Sequence, residues 1–250
     1  MQADTQTDAP AGTLIKTTLT DFPALVSCAV FLCGCNLRCP YCHNAGAVTG
    51  ELPADESVSL EQILTHLEKR KNVLKGIVLS GGEALLNWRT PIIMERARSL
   101  GYKIKLDTNG TLPEKLRGLL ESPDLRPDYV SLDIKCPGKR LGILGVGEDE
   151  RERMQSRIEE SSRLIAEFLP ARSREWRTVL VPGLIDRDTI KDTAEIIPPA
   201  HRHDARWYLA DFVPGGCLDP AYDSVTAYSH DEAMAILGEA KRIVPGALLR

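Results

Sequence analysis

Six short apolar segments recur along the chain, and stretches with helical patterns follow them. The segments are residues 24–33, 76–80, 103–107, 128–133, 176–181 and 206–212. Between them, apolar residues recur at helical spacing, as in Leu60, Ile63, Leu64 and Leu67, a helix for which Ser59 is the predicted N-cap. Repeated strand–helix units form a parallel sheet with right-handed crossovers, and six units leave a TIM-type barrel incomplete. The sequence therefore predicts an α/β fold, a partial (β/α)6 barrel.

The length of 250 residues suits one domain of this kind. Residues 1–12 are polar and small, and we expect them to form a disordered polar arm. Residues 13–20 alternate between apolar and polar side chains, which predicts a short strand ahead of the repeats. We expect a single domain over residues 13–250, closed by a C-terminal helix over residues 231–244.

Polar motifs follow three of the predicted strands, at the ends where barrel proteins hold their ligands. They are Ser80-Gly81-Gly82-Glu83, Asp107-Thr108-Asn109-Gly110 and Asp133-Ile134-Lys135. Two glycines let a ligand approach the backbone, and Glu83 can accept a hydrogen bond from an ammonium group. The Asp and Thr side chains can hold a cation or a ribose, and Lys135 can pair with a carboxylate. Each motif alone is also ordinary turn chemistry, but together they fit a zwitterionic nucleoside.

Three cysteines lie on one short loop directly after the first predicted strand. Cys35, Cys39 and Cys42 are separated by three and two residues, and Tyr41 precedes the last of them. A cubane [4Fe–4S] cluster normally takes four thiolates, so three would leave one iron open to a small ligand. The alternatives are buried thiols or a zinc site with His43 as the fourth ligand. Zinc sites often use two Cys-x2-Cys knuckles, and this sequence does not contain two of them.

Composition argues against several functional classes. The net charge of −4 and the pI near 5.8 do not suit nucleic-acid binding. No secretory signal or long apolar run is found, so we expect a cytoplasmic protein that binds neither nucleic acid nor membrane. In a reducing compartment, thiols near such a motif favour metal binding over disulfides. Four further cysteines share no common spacing and receive no assigned role: Cys28, Cys33, Cys136 and Cys217.

The three-cysteine motif, with an aromatic residue before its last cysteine, resembles the signature of the radical S-adenosylmethionine (SAM) superfamily. The resemblance implies a barrel of the radical SAM type and a [4Fe–4S] cluster held by Cys35, Cys39 and Cys42. It also implies that SAM binds the open iron and that the reduced cluster cleaves it to methionine and a 5′-deoxyadenosyl radical. The segment formed by Gly81, Gly82 and Glu83 would contact the amino group of SAM.

Further motifs resemble one family, the glycyl-radical-enzyme activases. They are Thr20-Asp21-Phe22-Pro23, Val30-Phe31, Gly34-Cys35-Asn36, Cys39-Pro40-Tyr41-Cys42-His43-Asn44 and the three strand-end motifs given above. The similarity runs from about residue 13 to residue 220. Order and spacing most resemble the activating proteins of anaerobic ribonucleoside-triphosphate reductase, with pyruvate formate-lyase activases as relatives. This implies a radical SAM oxidoreductase that forms a glycyl radical on a partner enzyme, with flavodoxin or ferredoxin as electron donor.

The same resemblance implies roles for individual residues. Tyr41 and His43 would lie near the adenine of SAM. A second group would surround SAM and a monovalent cation: Asp107, Thr108, Asn109 and Asp133. Lys135 and Arg177 would reach the SAM pocket. For His43 and Arg177, a surface histidine and a surface ion pair are equally ordinary explanations.

The sequence also departs from the family pattern. Ala24-Leu25 stands where the family often has Gly-Lys, so no lysine role is assigned to that loop. Residues 210–216 lack the histidine that formate-lyase activases have there, whereas Leu218-Asp219-Pro220 is closer to the reductase-activase pattern. Four alternative functions stay open: an activase of another glycyl radical enzyme of the pyruvate formate-lyase type, a radical SAM enzyme for a small molecule, such as a deazapurine-type synthase, an iron–sulfur electron carrier or sensor, and a zinc-binding module.

Overall fold

Strands and helices alternate along residues 10–250, the part of the chain that the computed structural model describes. The strands are β1 (Gly12–Thr18), β2 (Ser27–Leu32), β3 (Ser57–Val58), β4 (Gly76–Gly81), β5 (Lys103–Thr108), β6 (Tyr129–Asp133), β7 (Arg174–Leu180), β8 (Trp207–Asp211) and β9 (Ala247–Leu249). The α-helices are α1 (Ala45–Thr49), α2 (Leu60–Arg70), α3 (Arg89–Ser99), α4 (Pro113–Glu121), α5 (Arg151–Phe168), α6 (Thr189–Ala194) and α7 (His230–Ile243). No helix in this described part has the length and hydropathy of a membrane-spanning segment.

Two compact units make up the described chain. Residues 10–36, 44–107 and 118–129 form the first, and residues 37–43, 108–117 and 130–250 form the second. The single domain expected over residues 13–250 therefore stays a prediction. Of the polar arm expected over residues 1–12, the first nine residues lie outside the described part, whereas the Ala11 amide donates to the Val58 carbonyl at 2.8 Å.

The first unit contains strands in the order β3-β1-β2-β4-β5. β1 is antiparallel to β2 and β3, and β2, β4 and β5 are parallel to one another. β2 is almost wholly buried, as its continuous apolar run predicts for a strand covered on both faces. The register pairs Leu32 with Gly81, so the carboxyl ends of β2 and β4 lie side by side. α2 begins in a capping box between Ser59 and Gln62, as the predicted Ser59 cap requires.

The second unit contains β6-β7-β8-β9, and each neighbouring pair is parallel. Trp176 and Trp207 are fully buried in this unit. Their indole N–H groups donate to Ser162 Oγ at 2.8 Å and to Thr178 Oγ1 at 3.0 Å. A buried indole needs such an acceptor, because its N–H would otherwise be desolvated without a partner. β9 follows the last predicted strand and was not predicted from the sequence.

The strand expected over residues 24–33 begins three residues later, at Ser27. A turn precedes it, in which the Leu25 amide donates to the Phe22 carbonyl at 3.3 Å and Ala24 has a φ of +61°. Glycine adopts this left-handed conformation at little cost, whereas a Cβ makes it unfavourable by about 1 kcal/mol or more. A glycine at position 24 would therefore adopt this turn at a lower cost than Ala24 does.

Candidate active site

Gly82 allows the loops after β2 and β4 to touch. The Gly82 amide donates to the Leu32 carbonyl at 2.9 Å, and the Glu83 amide donates to the Gly34 carbonyl at 2.8 Å. A Cβ on Gly82 would lie 2.1 Å from the Gly34 oxygen and 3.1 Å from the Cys35 Cβ. Only glycine fits this approach, which brings the Gly-Gly-Glu motif beside the first cysteine of the three-cysteine motif.

The other members of the Gly-Gly-Glu motif are constrained as well. Gly81 has a φ of +115°, and a Cβ there would lie 2.2 Å from the Leu32 amide nitrogen. Asn44 Nδ2 donates to the Gly81 carbonyl at 3.4 Å. The Glu83 side chain is buried, and its Oε1 accepts a hydrogen bond from the Leu85 amide at 3.1 Å. Glu83, the predicted contact of the SAM amino group, thus also caps the short 3₁₀ turn that follows it.

The second half of the three-cysteine motif is fixed by backbone hydrogen bonds. The Cys42 amide donates to the Cys39 carbonyl at 3.0 Å. After β8 the chain returns to this loop, where the Leu218 amide donates to the Cys42 carbonyl and the Asp219 amide to the Pro40 carbonyl, each at 2.9 Å. The Leu-Asp-Pro segment singled out in the sequence therefore supports the loop that carries two of the three cysteines.

Two cysteines with no predicted role lie near that loop. Cys136 is buried, and burial together with the neighbouring Cys39 thiol raises its pKa to about 12. Cys217 is also buried, and burial and a hydrogen bond with Asp223 raise its pKa, with a smaller contribution from Cys42. Both thiols are therefore protonated at neutral pH. Their scattered positions in the sequence carried no signal of this placement.

Asp107, a predicted SAM or cation contact, is paired with a lysine. Lys105 Nζ donates to Asp107 Oδ1 at 2.5 Å, and the lysine side chain is only 2% exposed. The two residues share one face of β5, because side chains two apart on a strand point to the same side. Lys105 was not among the predicted site residues, and this spacing was the signal that could have identified it.

Thr108 and Asn109 are buried in the turn that follows β5. Thr108 Oγ1 accepts from the Gly110 amide at 3.2 Å. Asn109 Oδ1 accepts from the Thr111 amide at 3.0 Å and from the Thr111 hydroxyl at 2.6 Å. These are the side-chain-to-backbone bonds by which Asn and Thr stabilise turns. Their contact with SAM stays a prediction.

Asp133, Lys135 and Arg177 form a charged cluster in the second unit. Arg177 Nε donates to Asp133 Oδ1 at 2.8 Å, and Lys135 Nζ donates to Asp133 Oδ2 at 3.0 Å. Burial opposes ionisation of Asp133, but Arg177 and Lys135 outweigh it and hold the Asp133 pKa well below its usual range. Burial likewise opposes the charge on Lys135, yet Asp133 keeps the Lys135 pKa above its usual range. The cluster therefore carries one anion and two cations at neutral pH.

Tyr41 and His43 differ sharply in their surroundings. Tyr41 is buried, and its hydroxyl donates to the Lys135 carbonyl at 3.4 Å. Burial raises the Tyr41 pKa well above its usual range, and the neighbouring Cys39 thiol acts in the same direction. His43 is exposed, as a surface histidine would be. The predicted adenine contacts of both side chains stay predictions.

We expect Asp133→Asn to destabilise the fold by about 1–3 kcal/mol at pH 7, because a neutral amide leaves the Lys135 and Arg177 charges facing each other. A depressed pKa means that ionised Asp133 contributes its stability above the unfolded-state pKa of 3.8 and loses it as the pH falls further. Urea unfolding at pH 7 and pH 3 should therefore show that the difference in free energy of unfolding between wild type and Asp133→Asn is smaller at pH 3.

The control is Asp124→Asn, at an exposed carboxylate, whose free energy of unfolding should stay within about 0.5 kcal/mol of wild type. A pH-independent difference would contradict this account.

The chemistry of the predicted ligands fits a cluster and a zwitterionic cofactor. None of the seven cysteines, all of which lie in the described residues, forms a disulfide bond, and these include Cys35, Cys39 and Cys42. Within residues 10–250, no three His, Cys, Asp or Glu side chains gather closely enough to hold a single metal ion. A [4Fe–4S] cluster has a separate iron for each thiolate. The ammonium and guanidinium groups of Lys135 and Arg177 supply the positive charge that the carboxylate of a zwitterionic cofactor would need.

Comparison with known proteins places these residues in context. The family model described as the radical SAM superfamily matches residues 30–197. A protein of Methanocaldococcus jannaschii, MJ1227, which is provisionally named a glycyl-radical enzyme activating enzyme, is 27% identical over 234 residues, covering 92% of this chain and 91% of that protein. The 7-carboxy-7-deazaguanine synthase of Aquifex aeolicus is 38% identical over 88 residues, covering 35% of this chain and 38% of that enzyme.

A solved structure shares the fold. Streptococcus suis SuiB, in a crystal structure bound to S-adenosylmethionine, superposes with a TM-score of 0.56 at 14% sequence identity. The match covers 86% of this chain and 48% of SuiB, so this chain spans about half the length of that protein. The likeness confirms the predicted fold class, an α/β partial (β/α)6 barrel of the radical SAM type.

Proposed function

Because the chain belongs to the radical SAM superfamily, whose members use a [4Fe–4S] cluster and SAM, we propose that it is a glycyl-radical-enzyme activase. The observation that carries the proposal is the 27% identity with MJ1227 over nearly the whole of both chains. When bound, the cofactors would supply a 5′-deoxyadenosyl radical that takes a hydrogen atom from a backbone glycine of a partner enzyme.

The three cysteines would hold the cluster. Cys35, Cys39 and Cys42 would each ligate one iron as a thiolate and leave the fourth iron to SAM. Two observations support this role: the three cysteines form no disulfide bond, and the loop is held at Gly34 and at Cys42 by backbone hydrogen bonds. A loop fixed in this way keeps its ligands in place, which a catalytic cluster needs.

The neighbouring polar groups would bind and orient SAM. Glu83 and the backbone of Gly81 and Gly82 would accept the amino group beside Cys35. Lys135 and Arg177 carry the charge that a carboxylate needs, and Asp133 keeps both side chains in place by its ion pairs. The buried Tyr41 ring, whose hydroxyl contacts the Lys135 carbonyl, would shield part of this pocket from water, and a radical reaction needs such shielding. The adenine contacts would come from Tyr41 and His43.

The remaining contacts belong to the same proposal. Thr108 and Asn109 would meet the nucleoside, and Asp107 and Asp133 would surround a monovalent cation. In the structure these two carboxylates pair with Lys105 and with Lys135, so a cation would have to share them.

The proposed partner is anaerobic ribonucleoside-triphosphate reductase, and the proposed electron donor is flavodoxin or ferredoxin. Support for the reductase comes from Leu218-Asp219-Pro220, the segment that resembles the reductase activases. Its first two residues donate hydrogen bonds to Cys42 and Pro40, so this segment is part of the site's framework. A cytoplasmic location is part of the same proposal, because both kinds of partner would meet the enzyme there.

A second candidate is a radical SAM enzyme that acts on a small molecule. The 38% identity with the Aquifex aeolicus deazaguanine synthase favours it, although the match spans only 88 residues. Such an enzyme would turn over its substrate without a protein partner. The two candidates therefore differ in a property that one experiment can measure.

The decisive experiment reconstitutes the cluster anaerobically, reduces it with dithionite and adds SAM, with and without anaerobic ribonucleoside-triphosphate reductase. We expect 5′-deoxyadenosine in the presence of the reductase and a glycyl doublet in its electron paramagnetic resonance spectrum. Omission of SAM is the matched control and should remove both signals. Deoxyadenosine without a doublet on this reductase, on pyruvate formate-lyase or on other glycyl radical enzymes would contradict the proposal. Turnover of a small purine precursor in the same preparation would then favour the second candidate.

A further inference from the structure

Asn87 lies between the Gly-Gly-Glu motif and α3, and both ends of its side-chain amide form hydrogen bonds. Asn87 Nδ2 donates to the Cys33 carbonyl at 3.1 Å, and Asn87 Oδ1 accepts from the Arg89 amide at 3.0 Å. The two bonds settle the orientation of the side chain, because only the nitrogen can donate and only the oxygen can accept here. One end of the amide therefore holds the start of α3, and the other end holds the segment before the three-cysteine motif.

All four backbone polar groups of Cys33 and Gly34 are hydrogen-bonded. The Cys33 amide donates to the Ala11 carbonyl at 3.0 Å, and the Gly34 amide donates to the Ala47 carbonyl at 2.8 Å. The Gly34 carbonyl accepts from the Glu83 amide at 2.8 Å. The Cys33 carbonyl accepts from Asn87 Nδ2 at 3.1 Å. Three of these partners are backbone atoms that any residue would supply. The fourth is the Asn87 side chain, so it is the partner that the identity of a residue decides.

We infer that Asn87 is a positioning residue for the first cluster cysteine. By holding the Cys33 carbonyl, it fixes the peptide segment from which Cys35 projects, and Gly82 packs closely against the same segment at Gly34. The inference rests on the proposed function, because it takes Cys35 as a cluster ligand. Asn87 itself acts through the backbone and touches neither cluster nor SAM in this account.

A single substitution can separate the two hydrogen bonds of Asn87, the one to the Arg89 amide and the one to the Cys33 carbonyl. Asn87→Asp keeps an oxygen to accept from the Arg89 amide, since Asp and Asn stabilise such turns equally well. It removes the donor to the Cys33 carbonyl and sets two oxygens against each other. Thr90→Val is the matched control, because it removes the bond from Thr90 Oγ1 to the Ala84 carbonyl at 2.5 Å and leaves Asn87 untouched.

The first measurement is hydrogen exchange in the protein without cluster or SAM. The Gly34 and Glu83 amides report on the segment, because both are hydrogen-bonded there. We expect Asn87→Asp to speed exchange at both amides by about three- to tenfold, the effect of losing one hydrogen bond from local opening. Thr90→Val should leave both rates at the wild-type value.

The second measurement uses the reconstituted, reduced protein. Asn87→Asp should retain severalfold less iron and shift the electron paramagnetic resonance signal of the cluster, whereas Thr90→Val should match wild type. Wild-type amide exchange rates and wild-type spectra in Asn87→Asp would overturn the inference. Equal changes in both variants would also overturn it, because they would indicate a general loosening of the structure.

Amide exchange is measured without SAM or a partner enzyme. A missing glycyl radical would therefore count against the proposed function and leave this result in place.

Discussion

Replacement of Cys35 by alanine should abolish assembly of the [4Fe–4S] cluster and lower 5′-deoxyadenosine formation by at least about 10³-fold. Alanine offers no ligand to iron, and two thiolates on so short a loop leave two irons without protein ligands. Iron content, visible absorbance and deoxyadenosine yield after anaerobic reconstitution measure the effect.

Cys33→Ala is the matched control for this variant. It removes a thiol two residues away but keeps the backbone groups that Ala11 and Asn87 bind. We expect wild-type iron content in this variant. Full iron content and full deoxyadenosine yield in Cys35→Ala would show that Cys35 is not a ligand and that the mechanism is wrong.

Alanine at position 82 should destabilise the protein by about 1–3 kcal/mol and reduce cluster retention as well. The new Cβ would lie 2.1 Å from the Gly34 oxygen and 2.7 Å from the Gly34 carbonyl carbon, so backbone must move to accept it. Overpacking against backbone has a cost of this order. The displaced segment leads into Cys35, which is why loss of stability and loss of iron should occur together. Urea unfolding of the protein without cluster, followed by reconstitution, measures both effects.

Gly118→Ala separates this clash from the general effect of removing a glycine. Gly118 lies in α4 and is exposed, and a Cβ there would meet nothing within 4 Å. Alanine has the higher helix propensity, so this variant should be more stable than wild type by up to about 1 kcal/mol. If Gly82→Ala were as stable as wild type and bound iron normally, the close approach of the two loops would not constrain the site.

Much of the fold could be predicted from the sequence, because burial on both faces leaves a recognisable run of apolar residues. β2 and β4 follow such runs, and α2 begins at its predicted Ser59 cap. β9 was missed because three residues are too few to establish a strand pattern. The late start of β2 was missed because Ala24 gives no sign in the sequence of its left-handed conformation.

The candidate site was predictable only where its residues form local motifs. The cysteine spacing and the Gly-Gly-Glu segment are visible as short strings. The bond from Asn87 to Cys33 joins residues 54 positions apart, and no local pattern connects an asparagine with a distant carbonyl. Lys105 was not predicted because its partner Asp107 was interpreted as a ligand contact. A buried lysine is rare unless it is paired, so the position of Lys105 inside an apolar strand pointed to a nearby carboxylate.

The complete hydrogen bonding of Cys33 and Gly34 also bears on how a metal centre could be built in this protein. Fixing the backbone of one residue costs about 1–2 kcal/mol. Here that cost is met by the fold itself, because the partners of all four backbone groups are atoms of the polypeptide. Iron and sulfide would therefore meet a first thiol whose preceding backbone is already ordered. The affinity for the cluster would then not be lowered by the free energy of ordering that backbone.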